Sequence, residues 1–132
     1  MAYLIDTNIA IHARDGTESV LDRLAETEGG VLLSALSAAE LQRGIYKNPA
    51  HMALRQARLS VLLPGLTVLP FDLAAALAYG RIIAQCGWAK GRDFDRMIAA
   101  HAIATSSVLV TDNAADFQDI PALRIENWVT RT

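Results

Sequence analysis

Residues 3–11 of the chain have the sequence YLIDTNIAI. Three apolar residues lead directly into an aspartate, a threonine and an asparagine, after which apolar residues resume. This order predicts a short buried strand over Ala2–Ile5 and a helix that continues to about Arg14. Asp6 then lies at a strand end, where an aspartate either caps the following helix or contributes to a functional site.

The same alternation of short strands and longer helices continues along the chain. Its pattern predicts helices over residues 17–27, 37–48, 50–63, 72–86 and 95–105, and strands over residues 31–34, 66–70, 107–111 and, as a candidate fifth, 123–128. Gly29–Gly30, Pro49 and Pro64–Gly65 mark the breaks. We therefore expect one α/β domain over residues 1–132, with a mostly parallel central sheet of four to five short strands flanked by helices.

Composition limits the classes of function. The 132 residues are 52% hydrophobic, enough for a compact core, and the net charge of −2 does not indicate a general nucleic-acid-binding surface. Cys86 is the only cysteine, which excludes an internal disulfide and a cysteine zinc cluster. Without a signal-like segment or an apolar run of about 20 residues, we expect a cytoplasmic protein with no membrane segment.

Four acids lie where an α/β sheet would carry a site. Asp6 and Asp112 directly follow the first and fourth predicted strands, Glu40 lies in the first helical turn after the second, and Asp95 begins a predominantly apolar helix. Each also has an ordinary explanation, because acids are common at helix starts. Ser37 and Glu40 match a capping box, and we expect Asp93 to cap the helix of Asp95.

Convergence of these acids would have a chemical consequence. Three or four carboxylates about 5 Å apart repel by roughly 3 kcal/mol a pair at an effective dielectric of about 20. Such a group needs protons or bound cations, and hard oxygen ligands favour Mg²⁺ or Mn²⁺. A cation held there can polarise a phosphate and activate water, which favours phosphodiester cleavage.

Five sequence blocks resemble those of the PIN-domain ribonucleases, in particular the VapC-type toxins of bacterial toxin–antitoxin pairs. In chain order they are LIDTNIAI, SALSAAELQRGI, FDRMIAAHAIA, VLVTDNAADF and LRIENW, and they span nearly the whole chain. The resemblance implies a PIN-like fold and a Mg²⁺- or Mn²⁺-dependent endoribonuclease that cleaves transfer or ribosomal RNA. It also implies a VapB-type antitoxin partner, a homodimer, and further assembly of toxin and antitoxin on operator DNA.

The resemblance further implies that Asp6, Glu40 and Asp95 bind metal. For the fourth acid we rank Asp112 before Asp116, which then binds a second metal or organises its loop. From their chemistry, Thr7 and Asn8 are candidates to hydrogen-bond a carboxylate or a metal-bound water, and Thr111 is a candidate to orient Asp112. The basic residues beside the expected site, as candidates for RNA phosphate contacts, are Lys90, Arg92 and Arg96. We expect Asp119 to be a solvated loop acid.

Two other functions remain open from the sequence. A catalytically silent PIN-like module would keep the fold and bind RNA or a protein. A phosphoreceiver or phosphotransferase domain also places an aspartate after its first strand, but such sites often have a second acid nearby, and here Asn8 follows two positions later.

Overall fold

The computed structural model describes residues 1–27 and 30–129, so Gly29 of the predicted break lies outside the described residues. Five strands and six helices follow one another along the described chain. In order they are β1 (Ala2–Ile5), α1 (Thr7–Arg14), α2 (Glu18–Glu26), β2 (Val31–Ser34), α3 (Ala35–Lys47), α4 (Met52–Leu62), β3 (Leu66–Leu69), α5 (Leu73–Cys86), α6 (Asp93–Ala104), β4 (Ser107–Val110) and β5 (Ile125–Glu126). Short 3₁₀ turns flank α4 and follow β4.

The strands form one sheet in the order β3-β2-β1-β4-β5, and every neighbouring pair is parallel. The predicted α/β class and mostly parallel sheet are confirmed. In the central pair, Ile5 of β1 is in register with Val110 of β4. Asp6 and Thr111 therefore emerge side by side at the carboxyl edge of the sheet.

Helices cover both faces of the sheet, which explains why its strands are apolar at consecutive positions. Ile5 and Val110 pack on one face against α1, α3 and α4. Leu4 and Leu109 pack on the other face against α5 and α6. Within the described residues, no helix is both long enough and apolar enough to cross a membrane.

Three predicted helix starts were wrong by two residues. Helix α4 begins at Met52 and not at residue 50, because a 3₁₀ turn over Pro49–His51 precedes it, whereas α3 and α6 begin early. Helix α3 begins at Ala35 because Ser34, at the end of β2, accepts a hydrogen bond from the Leu36 N–H. Ser37 is therefore inside the helix and buried, and does not form the predicted capping box. Helix α6 begins at Asp93 after Arg92 in the capping position, so Asp93 does not cap it.

The chain leaves β1 and β4 toward opposite faces of the sheet. Helix α1 after β1 packs on one face, whereas Phe117 in the 3₁₀ turn after β4 packs on the other. The Asp6 N–H also donates to the Val110 carbonyl at 3.0 Å, which joins the two strand ends. The place where neighbouring strands connect to opposite faces of a sheet is its topological switch point. In open parallel sheets a crevice forms there, beyond the carboxyl ends of the strands.

Candidate active site

Two hydrogen bonds hold the Asp6 carboxylate at the switch point. Its Oδ1 accepts the Ile9 N–H at 2.9 Å, so it caps α1 as an aspartate at a strand end is expected to do. The Thr111 side chain also hydrogen-bonds to its carboxylate. Burial, with smaller contributions from the charges of Asp112 and Asp95, nevertheless raises the pKa of Asp6 to about 6. Capping of α1 therefore does not explain why this carboxylate is buried beside other acids.

A cavity of about 230 Å³ opens beside Asp6. Three of the predicted acids line it together with uncharged neighbours; the full lining is Asp6, Thr7, Asn8, Glu40, Gly91, Phe94, Asp95 and Ile98. Burial, followed by the charges of Asp116 and Glu40, raises the pKa of Asp95 above its ordinary value, and Arg92 opposes this effect. Glu40 is turned toward Arg43, whose Nη2 donates to its Oε2 at 3.0 Å. Asp6, Glu40 and Asp95 thus come from three distant segments to one cavity.

Asp112 and Asp116 lie on the loop after β4 and do not line the cavity. Asp112 acts electrostatically on Asp6 and pairs with His12, whose Nε2 lies 3.3 Å from its Oδ2. Asp116 acts on Asp95 and accepts a hydrogen bond from the Asn113 side chain. The two candidates for the fourth acid thus approach different members of the acidic group.

The hydroxyl and amide candidates have different surroundings. Thr7 donates from Oγ1 to the buried Ser37 Oγ at 2.9 Å, which ties α1 to α3 beneath the cavity. Asn8 is exposed at the cavity wall. Thr111 is fully buried and contacts Asp6 and the Asn113 N–H. The Thr111 side chain therefore orients Asp6, its neighbour across the two strands, and its role in orienting Asp112 stays a prediction.

The three basic candidates separate into two groups. Lys90 and Arg92 are exposed in the loop before α6. Arg96 is only 3% exposed and donates from Nη2 to Asp119 Oδ2 at 2.8 Å, so the predicted RNA contact of Arg96 was wrong. Asp119 is an exposed loop acid, as expected, and it accepts this hydrogen bond as well. Arg96 lies on the face of α6 that packs inward against the loop of Asp119.

The donor set is chemically suited to a hard cation. Carboxylate oxygens around a cavity are ligands that Mg²⁺ and Mn²⁺ prefer. As the side chains stand, however, the described part of the chain contains no group of three or more His, Cys, Asp or Glu residues that could hold a metal ion. The exposed Glu40–Arg43 pair contributes at most about 1 kcal/mol, so releasing Glu40 from Arg43 to bind a cation costs little.

Sequence reasoning missed two features at the edge of this site. His12 contacts Asp112 across 100 positions, and its Nδ1 lies 2.8 Å from Thr17 Oγ1. No spacing in the sequence could pair residues so far apart. Asp93 joins Trp88 to Tyr79 through one carboxylate oxygen. In the sequence, the glycines at positions 87 and 91 on either side of Trp88 indicate a loop there but do not reveal that cluster.

Comparison with known proteins agrees with this arrangement. The family model of the PIN domain matches residues 3–123. Ribonuclease VapC2 of Rickettsia felis is 34% identical over 97% of this chain and 98% of its own length. The tRNA(fMet)-specific endonuclease VapC of Shigella flexneri is 31% identical over 97% of this chain and 98% of its own length.

Solved structures give the same result. The chain matches VapBC2 of Rickettsia felis, crystallised with a DNA fragment from its promoter, with a TM-score of 0.85 and 32% identity over 97% of this chain and 99% of that one. It matches DNA-bound VapBC of Salmonella typhimurium with a TM-score of 0.86 and 31% identity over 97% of this chain and 98% of that one. The fold, the sequence blocks and these likenesses agree: the chain belongs to the PIN-domain family and, within it, to the VapC ribonuclease toxins of VapBC toxin–antitoxin systems.

Proposed function

We propose that residues 1–132 form a single PIN domain that acts as a Mg²⁺- or Mn²⁺-dependent endoribonuclease and hydrolyses phosphodiester bonds of transfer or ribosomal RNA. The observation that carries the proposal is the buried Asp6 carboxyl group. Its pKa is raised to about 6 by burial and by neighbouring acids, at the mouth of a cavity that Glu40 and Asp95 also line. A bound cation would offset the mutual repulsion of these carboxylates.

In this proposal Asp6, Glu40 and Asp95 hold the cation, with Asp112 as the fourth acid and Asp116 available for a second cation. When bound, the cation supplies the charge that polarises a phosphate and activates water. Hydrogen bonds from Thr111 and the Ile9 N–H orient Asp6, and the Thr7–Ser37 contact supports the helix that carries Glu40. Asn8 faces the cavity, where its amide can bind a water or a phosphate.

RNA phosphates would meet Lys90 and Arg92, the exposed basic residues beside the cavity. Arg92 also lies close enough to Asp95 to oppose the increase of its pKa. The Shigella relative is named for a transfer RNA, which supports RNA as the substrate class here. The lone Cys86 and an RNA substrate both favour the cytoplasm as the compartment.

We infer that a VapB-type antitoxin restrains this chain by docking on a groove of about 720 Å³ between α2 and α4. The groove is mainly apolar, with Leu21, Leu24, Ala57, Val61, Leu62 and Leu66 among its lining residues. Val61 is 81% exposed, an unusual position for a valine in a monomer. The apolar face of an amphipathic helix fits such a groove, and the solved relatives are toxin–antitoxin complexes.

Two further partners belong to the proposal. Leu73 and Leu77, one turn apart on α5, are 73% and 56% exposed, which supports a homodimer through this helix. The Rickettsia and Salmonella relatives were crystallised with DNA as VapBC complexes, which supports assembly of toxin and antitoxin on operator DNA.

Calorimetric titration with Mn²⁺ separates this proposal from a catalytically silent module. We expect saturable binding to the wild-type chain and its loss in Asp6→Asn. Asp72→Asn is the matched control, because Asp72 also caps a helix, by accepting the Ala75 N–H, but lies outside the acidic cavity. Equal binding by all three proteins would contradict the proposed metal site.

A further inference from the structure

Trp88 is a large aromatic residue that the fold leaves in solvent. It is 63% exposed, whereas the other tryptophan, Trp128, is 1% exposed within the core. An indole ring gains much free energy on burial, and tryptophan is enriched at binding interfaces. The exposed ring therefore requires an explanation beyond packing.

The ring is nevertheless fixed in position. Its Nε1 donates to Asp93 Oδ1 at 2.9 Å, and the same oxygen accepts the Tyr79 hydroxyl at 2.6 Å. Tyr79 lies on α5 and Asp93 is the first residue of α6, so the contact joins the loop to both helices. A ring held in one orientation loses little conformational entropy when a ligand stacks on it.

The loop that carries Trp88 also borders the acidic cavity. Gly87 and Gly91, at φ of +79° and +82°, have backbone conformations that favour glycine and bound a tight connection between α5 and α6. Gly91 itself lines the cavity with Asp6, Glu40 and Asp95. Trp88 is three residues from Gly91, so their Cα atoms are within about 11 Å of each other.

The same loop supplies the charge that nucleic acid requires. Lys90 and Arg92 are exposed on either side of Gly91. An exposed aromatic ring flanked by basic residues is the combination that binds single-stranded RNA, in which bases stack on the ring and phosphates meet the cations. A protein partner would instead favour the apolar groove between α2 and α4, which offers far more apolar surface for a partner to cover than this one ring does.

We propose that Trp88 is the stacking platform for an unpaired base next to the scissile phosphate, and that it makes the site select single-stranded over paired RNA. This inference rests on the proposed function in RNA cleavage. Lys90 and Arg92 bind the phosphates on either side of that base. Asp93 and Tyr79 are positioning residues, because they hold the indole and do not touch RNA.

Intrinsic tryptophan fluorescence tests this directly. The intact chain is titrated in EDTA, which prevents cleavage, with a short single-stranded RNA that contains all four bases and with the same sequence as a duplex. We expect the single strand to quench the fluorescence and the duplex not to do so. In Trp88→Phe the quenching should disappear, because the remaining Trp128 is buried. Quenching that persists in Trp88→Phe, or that the duplex produces equally, would overturn the proposal.

Affinity and kinetics provide the second readout. Trp88→Ala should weaken single-strand binding by about 5- to 100-fold, the range for loss of one stacked base, and Trp88→Phe should restore most of it. With metal, Trp88→Ala should raise KM by a similar factor and change kcat little. Leu54→Ala, which truncates another exposed apolar side chain, is the control. Unchanged RNA affinity in Trp88→Ala, or a loss only of antitoxin binding, would refute the stacking role.

The two proposals fail in different ways. A chain that binds single strands through Trp88 but never cleaves them with Mg²⁺ or Mn²⁺ supports the stacking role and refutes the proposed nuclease. A chain that cleaves RNA equally well with and without the Trp88 ring supports the nuclease and refutes the stacking role.

Discussion

The Asp6 carboxylate and the Thr111 side chain are hydrogen-bonded across the two central strands of the sheet. The parallel register of β1 and β4 places both residues one position beyond their strands. Thr111 and the Ile9 N–H favour the charged form of Asp6, yet burial prevails and its pKa is about 6. The chain therefore maintains a carboxylate that is destabilising at neutral pH unless a cation or proton joins it.

Asp6→Asn should stabilise the metal-free protein at pH 7.5. A folded-state pKa of about 6 against the ordinary 3.8 means that the stability contributed by protonated Asp6 is complete below pH 3.8 and lost as the pH rises through 6. This difference in pKa lowers the free energy of unfolding by up to about 3 kcal/mol at neutral pH, and asparagine, which does not ionise, avoids the loss. Asparagine also caps α1 as well as aspartate does. Urea unfolding at pH 4.5 and 7.5 in EDTA measures it; a gain that is equal at both pH values would contradict this explanation.

His101 should make the fold less stable in mild acid. It is 2% exposed, packs edge-on against Phe71, and its Nδ1 is among the buried polar atoms without a partner in the described chain. Burial lowers the pKa of His101 below 6.5, although the Asp72 charge and the Pro70 carbonyl oppose this. Because the unfolded chain takes up the proton first, stability should fall as the pH drops below about 6.5.

Replacing the ring tests that account of His101. His101→Leu should remove this part of the pH dependence between pH 7 and 5, as measured by thermal unfolding. His51→Leu, at an exposed position, should leave it unchanged. An unaltered slope in His101→Leu would assign the pH dependence to other groups.

Asp119→Ala should destabilise the protein by about 1–3 kcal/mol, because it removes the acceptor of a buried guanidinium. Arg96 is 3% exposed, its Nη2 donates to Asp119, and its Nε and Nη1 have no hydrogen-bond partner in the described structure. Denaturant unfolding measures the loss. Glu18→Ala, at an exposed helix start, is the control and should change stability far less. A neutral Asp119→Ala would mean that water replaces the carboxylate.

Val61→Glu should weaken antitoxin binding by at least tenfold and leave RNA cleavage by the isolated toxin unchanged. The substitution places a charge in the apolar groove between α2 and α4, where a desolvated carboxylate costs several kcal/mol. Leu54→Glu is the matched control, because Leu54 is 50% exposed on the same helix and does not line the groove. Equal weakening by both variants would place the antitoxin elsewhere.

The sequence predicted the sheet well because parallel strands buried on both faces are apolar at nearly every position, as in VLLS and SVLV. It also predicted that Asp6 directly follows β1, but β4 ends at Val110, one residue earlier than predicted, so Thr111 separates it from Asp112. Two-residue errors in helix starts mattered more for side chains. The early start of α3 moved Ser37 from a cap to the interior, whereas the buried ion pair of Arg96 follows from tertiary packing.

Contacts between distant segments were not predictable from one sequence. The His12–Asp112 and Arg96–Asp119 pairs depend on how the loop after β4 folds back on α1 and α6. The cluster of Tyr79, Trp88 and Asp93 depends on the angle at which two helices meet across a glycine-bounded loop. Residue spacing does not encode these geometries; side-chain packing decides them.

Cleavage of purified transfer and ribosomal RNA with Mg²⁺ or Mn²⁺ tests the central claim most directly. We expect the wild-type chain and Asp72→Asn to cut RNA, EDTA to abolish cutting, and Asp6→Asn to remain folded but lose at least a hundredfold in rate, as expected when a metal ligand is removed. Full activity of folded Asp6→Asn, or cleavage that EDTA does not affect, would contradict the account.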